Sequence, residues 1–172
     1  MLLTGIVALL AGFTDWRWRR IPNWLTVPAA AAGLAVNSAA WHWAGLKSSA
    51  EGLGLGLLLL FPFVLIRALG AGDWKLAGAL GSLLGPHELL VVLFVAVLIA
   101  GVMALVLVIY KHRFGEMLRN MGRLLFALAT GHPGHPTVSL DNPESLKVPF
   151  GVAVAIAALV FVAGRLALHV PA

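Results

Sequence analysis

The chain has no cysteine, a single tyrosine and little charge, with only 11% of its 172 residues being Asp, Glu, Lys or Arg. The missing thiols exclude disulfides, thiolate metal sites and cysteine nucleophiles. The scarcity of charge excludes an ordinary soluble surface, since soluble domains carry about a quarter charged residues. In its place the chain has apolar residues: 60% are hydrophobic, and the mean hydropathy is +0.95. Such a composition belongs in a bilayer. A formal charge of +5 would point to an anionic partner in a soluble protein, but here the placement of the charges says more than their sum, and nucleic acid is not implied. The apolar start, Met1 to Phe13, lacks a basic leader region and an A-x-A-like cleavage site. It therefore reads as a retained first span rather than a signal peptide.

A membrane-crossing helix needs about 20 mostly apolar residues. Candidates run from Leu2 to Trp18, Trp24 to Ala44, Gly52 to Leu69, Glu88 to Tyr110 and Val148 to Leu168. A short sixth, Trp74 to Leu84, begins at a charged Gly-rich turn and is closed by Gly85-Pro86. The expected fold is all-α, a polytopic membrane helical bundle of about six transmembrane helices in a single domain over 1–172. With that count, Arg17, Arg19, Arg20, Arg67, Lys75, Lys111, Arg113, Arg119, Arg123 and Lys147 fall on one side and only Lys47 and Arg165 on the other. The positive-inside rule then puts the loops after spans one, three and five in the cytoplasm, the loop 111–147 among them, and both termini outside. Trp16, Trp18, Trp24, Trp41, Trp43 and Trp74 fall at span ends, where indoles favour the headgroup level.

Of the seven acidic residues, Glu51 and Glu88 fall at outer span ends and Glu116, Asp141 and Glu144 in the cytoplasmic loop. Only Asp15 and Asp73 abut apolar helices on the cytoplasmic side. The topology brings them to the same face at similar depth. An ionised carboxylate near hydrocarbon is costly unless paired, hydrated or protonated, so two at matched depth point to function. The plainer readings are an N-cap for Asp73 and an arginine partner for Asp15. Two carboxyls held close cannot readily both ionise; one keeps a proton while the other can act as base toward a water. That is aspartyl protease chemistry, with acid and base roles left open because the pair titrates as a unit. Gly70 and Gly72 would let the backbone turn tightly and a substrate strand approach Asp73.

The stretch Asp15-Trp16-Arg17-Trp18-Arg19-Arg20-Ile21-Pro22-Asn23 resembles the D-x-x-x-x-R-I-P-N pattern of bacterial type IV prepilin peptidases. Gly70-Ala71-Gly72-Asp73-Trp74-Lys75-Leu76 resembles their G-x-G-D-x-K-L motif, and Pro149-Phe150-Gly151-Val152-Ala153-Val154-Ala155 the opening of their last helix. The resemblance implies an intramembrane aspartyl endopeptidase of the bacterial inner membrane that removes the basic leader of prepilins at the cytoplasmic face. It implies Asp15 and Asp73 as catalytic, Gly70 and Gly72 as shaping the loop, and Lys75 as a charge neighbour or a plain positive-inside residue. Arg20, Ile21, Pro22, Asn23, Pro149, Phe150 and Gly151 are expected to be structural: Pro22 suits a first helical turn, and Asn23 can bond backbone at a helix start. With no cysteines and no room before Asp15 for the domain of longer, methylating members, the compact tight-adherence (Flp pilus) subgroup is the expected place. No metal or other cofactor is expected.

Weaker signals remain. His132 and His135 lack a further ligand in a Pro/Gly-rich stretch and read as loop rather than metal site. Phe114 to Ala129 has the pattern of an amphipathic helix on the inner leaflet, in contact with membrane lipid. The rival to a peptidase is a non-enzymatic transporter or channel that passes cations or protons along the aspartates. Such a path would want acids near mid-bilayer, whereas both of these lie toward one face.

Overall fold

A computed structural model of the chain describes residues 1–66, 68–110, 115 and 149–168. The described residues form five helices and no strand: α1 Leu2–Trp18, α2 Asn23–Leu65, α3 Ala71–Leu84, α4 Pro86–Tyr110 and α5 Phe150–Leu168. The all-α expectation is met. Arg67, the expected inner-leaflet helix, the two loop histidines at 132 and 135, and the loop 111–147 apart from Gly115 lie outside the described residues.

Helices α2, α4 and α5 are long and apolar enough to cross a membrane. Helices α1 and α3 have 17 and 14 residues. At 1.5 Å per residue they rise about 25 and 21 Å, less than the roughly 30 Å of hydrocarbon in a bilayer. Length and composition therefore establish three such helices, and the count of six goes beyond them.

The expected second and third spans are two helical arms within α2, joined without a loop at His42, where φ is 51° and ψ is −132°. A left-handed φ is uncommon outside glycine. Here it reverses the chain into two antiparallel arms, 23–41 and 43–65. Asn37 Nδ2 on the first arm donates to Ser49 Oγ on the second at 2.7 Å, and Ser49 Oγ lies 3.3 Å from the Gly33 carbonyl. The connection expected near 45–51 is helical instead. Lys47 and Glu51 face each other across one helical turn, with Nζ and Oε1 3.8 Å apart.

Helix α3 lies at the centre, with every residue from Leu76 to Ser82 buried. Both arms of α2 pack against it through glycines. A Cβ at Gly33 would fall on Ser82, one at Gly52 on the Gly81 carbonyl, and one at Gly56 would lie 2.6 Å from the Ala77 carbonyl oxygen. Without water to expel between helices, lipid-embedded bundles hold together by such close backbone approach and by interhelical hydrogen bonds. The Ser82 carbonyl accepts from both Asn37 Nδ2 and Ser49 Oγ. Small side chains such as Ala8, Ala11, Ala77, Ala157 and Ala158 pack the core beside the fully buried Leu76, Leu80 and Leu89, while Phe94, Val97, Leu98 and Val102 of α4 face outward. The many large apolar side chains left on the outside suit a hydrocarbon solvent.

Helix α5 runs antiparallel to α1. The position of a Cβ at Gly12 is 2.7 Å from Ala155, and that at Gly5 is 3.9 Å from Val162. One end of the bundle thus joins Asp15 to the start of α5. At the other end Arg165 Nη2 meets Glu88 Oε1 at 3.0 Å, and its guanidinium lies 5.5 Å from the Phe161 ring. Five of the six tryptophans are exposed, whereas Trp74 turns inward: its Nε1 donates to the Leu57 carbonyl at 2.7 Å, and its ring lies 6.0 Å from that of Phe61. Trp74 is a packing residue between α3 and α2, not a headgroup anchor.

Candidate functional site

Asp15 lies in the last turn of α1 and is buried, with 7% of its surface exposed. Burial of a carboxylate requires partners. It finds one in α5, where the Val152 N–H donates to Asp15 Oδ2 at 3.0 Å. The helix ends just after it, because Arg19 takes a left-handed conformation (φ 50°, ψ 36°) and its N–H bonds the Asp15 carbonyl at 2.8 Å. That reversal sends the chain across the end of the bundle through Arg20 and Ile21 to Pro22, which precedes α2.

Asp73 stands in the first turn of α3, half-buried. The N-cap is Gly70, with φ −71° and ψ 143°, so Asp73 is not the cap. A Cβ on Gly70 would sit 3.2 Å from Asp73 Oδ2. The backbone amides of Gly70 and Gly151 both face the Asp73 carboxyl, and the Gly151 amide faces that of Asp15 as well. The two carboxyls are near enough for the charge of Asp15 to act on Asp73.

Ile21 explains how the three motifs come together. A Cβ at Gly72 would lie 3.2 Å from Ile21 Cβ, and one at Gly151 would lie 2.8 Å from both Ile21 Cδ1 and Asp15 Oδ2. The buried Ile21 side chain is thus wedged between the glycine before Asp73 and the glycine of α5. Any side chain at Gly151 would push on a carboxylate and on this wedge together.

A cavity of about 480 Å³ opens at this end of the bundle. Asp15 and Asp73 both line it, with Arg19 and Arg20, the Ile21-Pro22-Asn23 turn, the Gly70-Ala71-Gly72 turn and Lys75. Lys75 Nζ donates to Asn23 Oδ1 at 2.9 Å. Asn23 therefore does not cap α2, whose N-cap is Pro22 with no side-chain cap bond. Pro22 precedes the first turn rather than occupying it. Pro149 and Phe150 do not reach the cavity: the Pro149 carbonyl accepts the Ala153 N–H at 3.4 Å, and Phe150 packs against the core. The Gly151 and Val152 amides and Arg19 escaped prediction as site groups. A backbone N–H leaves no mark in a sequence, and Arg19 is one of several arginines in its stretch.

Two carboxyls facing one cavity can divide acid and base work toward a water. Among the described residues no three His, Cys, Asp or Glu come together in a way that could hold a metal ion.

An apolar helical bundle with a carboxylate-lined cavity at one end defines a membrane protein with a polar site at its border. The chain belongs to the type IV leader peptidase family, whose model matches residues 2–105. It is a peptidase of the leader-peptidase kind, for which a prepilin is the general class of substrate. The match takes in both aspartates and the segments around them, while α5 lies beyond it. Neither a curated protein nor a solved structure matched the chain.

Proposed function

We propose that this chain is an intramembrane aspartyl endopeptidase, a single domain in which Asp15 and Asp73 act as a pair to cut the leader from type IV, Flp-like prepilins. The observation that carries the reading is that both carboxyls line one cavity and face the same Gly151 amide. Two such groups share one proton. The ionised one takes a proton from water as the hydroxyl adds to the scissile carbonyl carbon, and the protonated one gives its proton to the carbonyl oxygen. When the C–N bond breaks, the first carboxyl returns its proton to the departing amine and the second recovers one from the diol. Both groups end as they began.

Gly70 and Gly72 shape the Asp73 turn, and Arg20, Ile21, Pro22, Asn23, Lys75 and Gly151 hold the segments around the cavity together. The chain lies in the bacterial inner membrane as a multi-pass protein, with the cavity at the cytoplasmic face and both termini outside. Arg17, Arg19, Arg20 and Lys75 gather at the cavity end in support of that orientation. A conduction path would need acids along the bundle, whereas these two stand together at one end, which favours hydrolysis over transport. The test is co-expression with a prepilin and a gel shift of the pilin. Asp15→Asn and Asp73→Asn should each abolish cleavage while the protein still accumulates in the membrane. Full cleavage by either variant would sink the assignment.

A further inference from the structure

We propose that the first turn of α5 divides the roles within the pair: the Val152 amide, together with the Arg19 charge, holds Asp15 as the ionised general base and leaves Asp73 as the proton-bearing acid. This inference rests on the peptidase reading above, in which the roles were left unassigned. Val152 is the third residue of α5, so its N–H is one of those a helix leaves without an intrahelical partner. That N–H goes to Asp15 Oδ2 at 3.0 Å. A hydrogen bond from an amide is strongest when the acceptor carries charge, and the positive end of a helix favours an anion. Arg19, four residues on, brings a positive charge to bear on the same carboxylate.

Asp73 also begins a helix and faces the Gly70 and Gly151 amides, but the charge that acts on it is that of Asp15. Of the cations lining the same cavity, Arg19 acts on Asp15, Lys75 Nζ is turned to Asn23 Oδ1, and Arg20 completes the set. Once Asp15 is ionised, a second negative charge beside it is disfavoured, so the proton stays on Asp73. Gly151 makes the arrangement possible, since any Cβ there would lie 2.8 Å from Asp15 Oδ2 and displace the carboxylate from the amides. In the reaction Asp15 therefore accepts the water proton and later returns it to the amine. Asp73 protonates the carbonyl oxygen and regains its proton from the diol.

The test uses the full-length protein in lipid with a prepilin substrate and follows kcat, KM and the pH–rate profile. Val152→Pro deletes an N–H that no intrahelical bond uses, in the first turn where proline costs a helix least, and it also restricts the backbone of Gly151 before it. Losing a hydrogen bond to a charged group should lower kcat by about ten- to a hundredfold with KM little changed. The acid limb of the profile should move to higher pH, because the base then needs a higher pH to be ionised. Val152→Ala, which restores the N–H, should recover rate and profile. Should the proline variant fail to accumulate, Arg19→Gln decides, and it should move the acid limb in the same direction.

The role assignment is overturned if Val152→Pro, or Arg19→Gln in its place, leaves the acid limb unmoved or speeds the reaction at low pH. The aspartate variants assayed alongside keep the two readings apart. Cleavage by Asp15→Asn or Asp73→Asn overturns the peptidase pair itself, whereas inactivity of both beside an unmoved profile overturns only the division of roles.

Discussion

Lys75 Nζ and Asn23 Oδ1, 52 positions apart in the chain, are joined at 2.9 Å across the mouth of the cavity. The bond ties the start of α2 to the first turn of α3, and so ties the segment that follows Asp15 to the one that carries Asp73. Being exposed, it competes with water and contributes about 0.5–1.5 kcal/mol. Asn23→Ala and Lys75→Ala should each slow prepilin cleavage by about two- to tenfold. The double variant should be no slower than the worse single one, because both remove the same bond. Strict additivity in that cycle would mean the two side chains act separately.

Gly151→Ala tests the crowding at the centre of the site. The added methyl meets Asp15 Oδ2 and Ile21 Cδ1 at 2.8 Å, so both must move. Overpacking of this kind costs about 1–3 kcal/mol, and here it falls on a carboxylate. Cleavage should drop by at least about tenfold while the protein continues to accumulate. The comparison is Gly101→Ala on α4, where nothing lies within 4 Å of the new methyl. That variant should cleave normally and gain up to about 1 kcal/mol in helix stability.

Much of the fold was legible because hydropathy and charge act locally. Helix α1 begins and ends where its apolar run does, at Leu2 and Trp18. The turn at His42 was not legible, since no Gly, Pro or Asn stands there to mark a left-handed residue, and Lys47 and Glu51 imitate a polar connection while lying side by side on a helix. In the site, Asp15 and Asp73 stood out as acids at the edge of apolar runs. Ile21 could be seen only as part of a motif, because its wedge between Gly72 and Gly151 depends on contacts between distant segments. The inward turn of Trp74 was hidden for a related reason: an indole at a span end suits the headgroups and a neighbouring helix carbonyl equally well.

The two arms of α2 depend on a polar cluster far from the carboxylates, which permits a separation of stability from activity. Asn37 Nδ2 donates to Ser49 Oγ at 2.7 Å and to the Ser82 and Leu83 carbonyls at 3.0 and 3.3 Å. Interhelical hydrogen bonds of this kind in lipid are worth about 0.6 kcal/mol on average and up to about 1.7. Asn37→Ala removes both N–H donors of this amide at once and should lower the midpoint of unfolding in a denaturing detergent, a loss of about 1–2 kcal/mol in stability. Below that midpoint its kcat should match the parent, because neither the Asp15 bond to α5 nor the Ile21 wedge is touched. A lower kcat at full foldedness would instead show that the α2 hairpin sets the geometry of the cavity through α3.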